Sequence, residues 1–344
     1  MKKHRNIPIF VPHLGCPNTC VFCNQRKISG CEKADFSSAE REIKEALATI
    51  PAGTDVQIAF FGGSFTGIER GDMIYLLETA KKYIDEGRVE SIRLSTRPDY
   101  IDEEILDILS RYGVRTIELG IQSMDDGVLR KSGRGHTAAQ TEKACRLICE
   151  RGFELVGQMM TGLPGSDLEK DKFTARRICE MGARGARIYP TVVFRGTELE
   201  SMMERGEYAS RKMEKVIAEG AELLPIFAQY GVKIIRIGLQ ASELLTDGEE
   251  TASPYHEATG ELIWARAYRN MAEKLLSRTN AEGKLAVITV PTGATSKMVG
   301  QNKENVKYLK EIYSLWGVKV LENEKFKSIC IGLTLEERKK HVCD

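Results

Sequence analysis

Ile7-Pro8-Ile9-Phe10-Val11-Pro12-His13-Leu14-Gly15-Cys16-Pro17-Asn18-Thr19-Cys20-Val21-Phe22-Cys23 is the stretch on which the reading of this chain turns. The apolar, β-prone run Ile7–Val11 reads as a strand that stops at Pro12, and three closely spaced cysteines follow on a turn-rich loop. Further strand-like runs lie at Val56–Phe61, Ser91–Ser95, Arg115–Leu119, Phe153–Met160 and Ala186–Pro190. Helical patterns separate them at Ser38–Ile50, Met73–Glu86, Asp102–Arg111, Thr137–Arg151 and Leu168–Met181; Ser37 and Glu40 read as a capping box for the first. Strand and helix alternating in this way predict a parallel sheet with helical crossovers. The expected fold is α/β, a partial (β/α)6 TIM-like barrel, although the element order alone does not separate it from a doubly wound sheet. The cysteine loop then sits at the C-terminal end of the first strand, the edge where parallel α/β folds carry their chemistry.

After Pro190 the rhythm loosens. A helical pattern over Arg211–Tyr230 leads to a strand at Val232–Ile237, and then comes the polar segment Thr246-Asp247-Gly248-Glu249-Glu250-Thr251-Ala252-Ser253-Pro254. Beyond it lie a helix over 257–277, a strand at Leu285–Val290, a helix at Lys303–Trp316 and a strand at Val318–Leu321. The expected division is a barrel over residues 1–245 and a small C-terminal α/β domain over 246–344.

The 344 residues carry 50 Lys plus Arg against 49 Asp plus Glu, a formal charge of +1. A protein that coats polyanions through a bulk positive field is thereby disfavoured, while a local basic face is not. No apolar run approaches the ~20 residues needed to span a bilayer. The basic start Met1-Lys2-Lys3-His4-Arg5 is followed by an apolar stretch broken by Pro8 and Pro12, so no export signal is read. Nine cysteines, an odd number, suit a reducing compartment and metal or redox chemistry better than a disulfide framework. The expected location is cytoplasmic.

The number of clustered thiols matters. A closed structural zinc site or an electron-transfer cluster takes four protein ligands. Cys16, Cys20 and Cys23 supply three, which suits a [4Fe–4S] cluster with one iron left open to a small molecule. A zinc site completed by Cys31 or His13, or three separate buried thiols, are the alternatives that the spacing leaves. Cys145, Cys149 and Cys179 fall inside helical patterns, where cysteine commonly serves as a small hydrophobe.

The Cys-x3-Cys-x2-Cys loop after a first strand resembles the radical S-adenosylmethionine (SAM) superfamily, and other segments extend the likeness. Phe60-Phe61-Gly62-Gly63-Ser64-Phe65 stands where that family has a Gly-Gly-Glu turn, with Ser64 in place of the glutamate. Ser95-Thr96-Arg97-Pro98-Asp99 resembles the ribose-contacting segment. Glu118-Leu119-Gly120-Ile121-Gln122-Ser123-Met124-Asp125 and Gly133-Arg134-Gly135-His136-Thr137 resemble the region around the adenosine and the methionyl carboxylate, and Gly157–Gly165 adds a further block. Tyr189-Pro190-Thr191, Arg195–Leu199, Ile235–Gln240 and Pro254–Ala258 are most similar to the radical SAM portion of the Elongator catalytic subunit. The likeness runs over about residues 7–265, without a segment resembling that subunit's acetyltransferase domain and with more tightly spaced cysteines.

The resemblance implies that Cys16, Cys20 and Cys23 hold the cluster. It implies SAM contacts from Gly62, Gly63, Ser64, Ser95, Thr96, Arg97, Gln122, Arg134 and Gln158, with Arg134 a guanidinium fork for a carboxylate; the alternatives are a solvated loop at Arg134 and a pair of satisfied core amides at Gln122 and Gln158. Tyr189, at a strand end, is the candidate hydrogen-atom relay, with ordinary packing its alternative; His136 is expected to order its own turn. The implied activity is reductive cleavage of SAM to a 5′-deoxyadenosyl radical, with an electron from a flavodoxin or ferredoxin, acting on a tRNA or other RNA base. A small-molecule substrate such as a tetrapyrrole or coenzyme precursor, and a non-catalytic iron–sulfur or zinc protein, are the other readings. Lys303, Lys307 and Lys310 share one face of a C-terminal helix, by default a solvated outer face and alternatively one that contacts RNA phosphate.

Overall fold

The computed structural model describes residues 4–11, 20–23, 36–239, 250–326 and 329–337. The chain divides into two compact units, one formed by 1–210 with 242–253 and the other by 211–241 with 254–344. The expected boundary at 245/246 lies outside the described residues.

The first unit is the partial barrel. Its strands are β1 (His4–Val11), β2 (Asp55–Gly62), β3 (Ser91–Thr96), β4 (Val114–Gln122), β5 (Glu154–Thr161) and β6 (Gly185–Pro190), in that spatial order. Each runs parallel to the next, with Ile9 beside Phe60, Leu94 beside Ile117 and Gln158 beside Arg187. The crossovers are α1 (Ala39–Thr49), α2 (Arg70–Asp85), α3 (Glu103–Arg111), α4 (Asp126–Lys131) with α5 (Ala138–Glu150), and α6 (Leu168–Glu180); α7 (Glu198–Glu204) follows β6.

Local chemistry sets the helix starts. Asp102 accepts from Ile105 N (2.8 Å), Asp125 from Val128 N (2.8 Å) and Asp167 from Lys170 N (2.9 Å), each satisfying an amide that the helix leaves free. Thr137 and Gln140 form a reciprocal capping box on α5. The capping box expected at Ser37 and Glu40 is absent. Phe36–Ser38 is instead a 3-10 turn, Ser38 caps no amide, and its hydroxyl donates to Glu42 (2.6 Å).

Period-two alternation divides every strand between two faces. The face under the helices is apolar: Ile58, Phe60, Ile92, Leu94, Ile117, Leu119, Leu155, Met159 and Ile188 are buried. Gly157 belongs to it, and a Cβ there would lie 2.5 Å from Cγ2 of Ile178 on α6. The other face carries Gln57, Phe61, Arg93, Ser95, Glu118, Gln158, Met160, Arg187 and Tyr189. Most of these are half-buried, so this face lines an open lumen rather than a packed interior.

The second unit joins α8 (Met213–Gln229), β7 (Lys233–Ile237) and α9 (Thr259–Leu276) to β8 (Leu285–Val290), α10 (Thr295–Val299), α11 (Glu304–Ile312), β9 (Gly317–Glu322) and β10 (Gly332–Glu336). Its sheet has the order β10-β8-β9, with β9 parallel and β10 antiparallel to β8. Ala272, Leu276, Ile288, Val290, Met298 and Leu309 belong to its core, and buried Asn305 donates to Ala265 O (2.8 Å) and Met298 O (3.1 Å). A small C-terminal α/β body was expected; β10 was not, and α11 is shorter than the predicted Lys303–Trp316.

Gly157→Ala is expected to destabilise the barrel unit by about 1–3 kcal/mol through overpacking against α6. The check is urea unfolding, with a lowered midpoint at unchanged slope; an unmoved midpoint would show that α6 has room to shift.

Candidate cofactor site

The C-terminal ends of β2, β3 and β4 converge on one region. After β2, Gly62 has φ +116, and a Cβ on it would sit 2.5 Å from Val11 O, so the turn requires glycine. Gly63 N–H donates to that same carbonyl (2.8 Å). Ser64 follows, 1% exposed, and its hydroxyl has no protein partner.

Arg97, just past β3, is buried and forks onto Asp99 (2.9 and 2.8 Å) while donating to Arg134 O (2.7 Å). Burial raises the Asp99 carboxyl, but the Arg97 bonds outweigh it and hold the group below its ordinary range. The Arg134 guanidinium donates to Gly120 O (2.8 Å) and lies 3.5 Å from Cys20 Sγ, and its Nε has no partner. A Cβ at Gly120 would stand 2.7 Å from that guanidinium, so the glycine makes room for it.

Cys20 is buried, and Cys23 N–H donates to Cys20 O (2.9 Å) in a tight turn. Val21 bonds Ser132 O (3.1 Å), and its own carbonyl accepts from Leu199 N (2.8 Å), so α4 and α7 both hold this segment. Cys16 lies outside the described residues. Among the described residues no three metal-ligating side chains come together.

Gln122 closes β4 in a strained conformation. Its φ is +65, unusual for a residue with a side chain, and Ser123 N–H reaches back to Ile121 O (2.8 Å) across it, a γ-turn. The Gln122 side chain is 4% exposed, and its Oε1 has no partner. His136 lies buried nearby with neither ring nitrogen hydrogen-bonded; burial first, and then the Arg134 charge, push its pKa down from 6.5 to about 3. Gln158 and Tyr189 face the lumen with Ser95. The Thr96 hydroxyl turns the other way, 2.6 Å from Thr66 Oγ1, which donates to Tyr100 O (3.0 Å).

One cluster escaped the sequence reading. Glu118, 2% exposed, receives Arg93 (2.7 Å) from β3 and Arg187 (Nε 2.7 Å, Nη2 3.1 Å) from β6. Burial lowers the Arg187 pKa, but Glu118 and the neighbouring Tyr189 hydroxyl outweigh it and raise it. The available signal was three charged residues at every-other positions of otherwise apolar strands.

Two family models match the chain: the radical SAM superfamily over residues 10–178 and the radical SAM C-terminal domain over 183–269. The chain belongs to the radical SAM superfamily. For that family in general, membership implies SAM and a [4Fe–4S] cluster, and the chain is accordingly an enzyme.

The residues present fit such a group. Ser64 Oγ, Gln122 Oε1 and Arg134 Nε are buried polar atoms that the protein leaves unpartnered. Gly62 and Gly120 let Val11 O and the Arg134 guanidinium come closer than a Cβ would allow, and Cys20 offers a thiol.

Among relatives, a tRNA uridine(34) acetyltransferase of Methanocaldococcus jannaschii is 36% identical over 146 residues, 41% of this chain and 27% of that protein. Elongator complex protein 3 of Schizosaccharomyces pombe is 31% identical over 183 residues, 52% of this chain and 34% of that protein. The chain thus spans about a third or less of these relatives' length. The structure of Elp3 from Methanocaldococcus infernus superposes with TM-score 0.62 at 21% identity, covering 80% of this chain and 64% of that one, a likeness of fold.

Two outcomes follow from this geometry. Gln122→Gly is expected to raise the unfolding free energy by about 1 kcal/mol by relieving the left-handed backbone; a lower stability in denaturant titration would show that the amide is a structural tie. The second concerns His136. Above its ordinary pKa of 6.5 it is neutral in both states and contributes no pH dependence; as pH falls from 6.5 toward 3, only the unfolded state takes up the proton. Stability therefore drops over that interval, and His136→Asn is expected to flatten the drop in urea titrations at several pH values. An unchanged slope would contradict a buried neutral imidazole.

Proposed function

We propose that this protein reductively cleaves SAM and uses the resulting radical to modify a base in tRNA or another RNA. The observation that carries the reading is the meeting of Cys20, Arg134 and Gly120 beside the unpartnered Ser64 and Gln122 groups. The matched relatives named as tRNA uridine(34) acetyltransferase and Elongator complex protein 3 support the RNA substrate.

In this reading Cys16, Cys20 and Cys23 ligate the cluster. When bound, the cluster and SAM supply one-electron cleavage of a carbon–sulfur bond and hence a 5′-deoxyadenosyl radical. The chain's own residues hold and orient. Gly62 and Gly63 let backbone approach the methionyl amino group, and Ser64 offers a hydroxyl where the family has a carboxylate. Arg134, through Nε, offers a donor to the SAM carboxylate. Arg97 braces Arg134 from behind, and Thr96 braces the turn at 98–100. Ser95, Gln122 and Gln158 supply hydrogen-bonding groups toward the nucleoside. Tyr189, facing the lumen, is the group placed to pass hydrogen.

Exposed Lys303, Lys307 and Lys310 at and along α11 suit phosphate contacts, and no helix among the described residues is long and apolar enough to cross a membrane. A flavodoxin or ferredoxin supplies the electron, in the cytoplasm.

The test is anaerobic. Reconstituted protein is given SAM and dithionite, and 5′-deoxyadenosine is quantified with and without bulk tRNA. Formation that tRNA stimulates, and that Cys20→Ala abolishes, is the expected result. Full formation in Cys20→Ala would remove the cluster assignment. Formation indifferent to tRNA would remove the RNA substrate and leave the radical chemistry.

A further inference from the structure

The lumen of the partial barrel is charged in a way that neither the cofactor nor the RNA reading uses. A (β/α)8 barrel normally fills its interior with branched apolar side chains. Here Arg93, Glu118 and Arg187 stand together on the inner face, two guanidinium groups sharing one carboxylate. The cluster carries one surplus positive charge.

Buried ions are ordinarily paired, because an uncompensated one keeps its desolvation cost. Arg93 is 7% exposed, and its Nε has no protein partner. Arg187 has only 12% of its side chain exposed, and its guanidinium lies 5.5 Å from the Phe61 ring centroid. Gln158 is its strand neighbour in register, and Tyr189 stands two residues further along β6, about 6.6 Å nearer the strand's C-terminal end. The lining beside Glu118 is therefore two guanidinium groups, the amides of Gln57, which accepts from Arg93 (3.5 Å), and Gln158, the Ser95 hydroxyl, the Tyr189 phenol, Met160 and the Phe61 ring.

We propose that this lumen binds a small carboxylate, seated against Arg187 and Arg93 below Tyr189. A single surplus charge matches a monoanion, and a planar carboxylate matches the guanidinium fork. Arg93 and Glu118 are 7% and 2% exposed, too enclosed for a polymer backbone to reach. The inference deepens the proposed function by naming a substrate class for the reaction chamber: a carboxylate-bearing molecule distinct from the RNA.

The experiment uses 19F NMR on the full-length protein with fluoroacetate as probe and fluoroacetamide as its neutral counterpart. Neither SAM nor reductant is present, so failure here is separate from failure of SAM cleavage. Saturable broadening of fluoroacetate, absent for fluoroacetamide and reversed by acetate but not by dimethyl phosphate, is expected. Arg187→Gln should weaken the probe at least about tenfold, Arg187→Lys should retain part of the affinity, and the exposed-site control Arg205→Gln should match wild type. Equal broadening by both probes, reversal by dimethyl phosphate, or wild-type affinity in a folded Arg187→Gln protein would each overturn the proposal. Should Arg187→Gln fail to fold, the wild-type discrimination between the two probes decides alone.

Discussion

The C-terminal end of the partial barrel hangs on the Arg134 guanidinium. It touches the carbonyl of Gly120 on β4 and the thiol of Cys20 on the cysteine loop, while its backbone carbonyl is held by Arg97 beyond β3. Three segments far apart in the chain thus share one buried cation. Such a cation is stable only if its donors are met, and here one is not met by protein. The same residue therefore ties the strand ends together and keeps one buried donor that no protein atom accepts. Glycine at 120 is what permits the approach, since a side chain there would occupy the guanidinium's place.

Several strained and unsatisfied groups collect at this edge. Gln122 keeps a left-handed backbone with a buried, unpartnered amide oxygen, and Ser64 and His136 are buried without partners. Each feature costs stability, and each persists because the surrounding core over-determines it. The core lies on the opposite faces of the same strands, where Leu94, Ile117, Leu119 and Ile188 are fully buried.

Much of the fold was legible because period and punctuation are local. The strand runs were readable to within one to three residues at their ends, and Gly62 announced a close approach. What was not legible depends on distance through space. The Ser37 cap failed because a 3-10 turn took the segment and Ser38 found Glu42 instead. Thr96 sits in a matching motif, but alternation turns its hydroxyl toward Thr66, away from the lumen. Arg93, Glu118 and Arg187 are 25 and 69 positions apart in sequence, and only the parallel register brings them together. His136 looked like a turn residue because nothing local shows its burial.

The partition between faces also explains how one sheet serves two ends. Arg187 and Ile188 are adjacent in sequence and opposite in role: one lines the lumen, the other is fully buried beneath the helices. A substitution at an inner position alters the charge or hydrogen bonding of the chamber with little effect on apolar burial. A substitution at an outer position, such as Gly157, disturbs helix packing and leaves the lumen's chemistry in place. The inner face can therefore carry a charge pattern of its own without disturbing the packing beneath the helices. In this chain that pattern is a surplus cation below the cofactor edge, where the chamber's ligand must answer it.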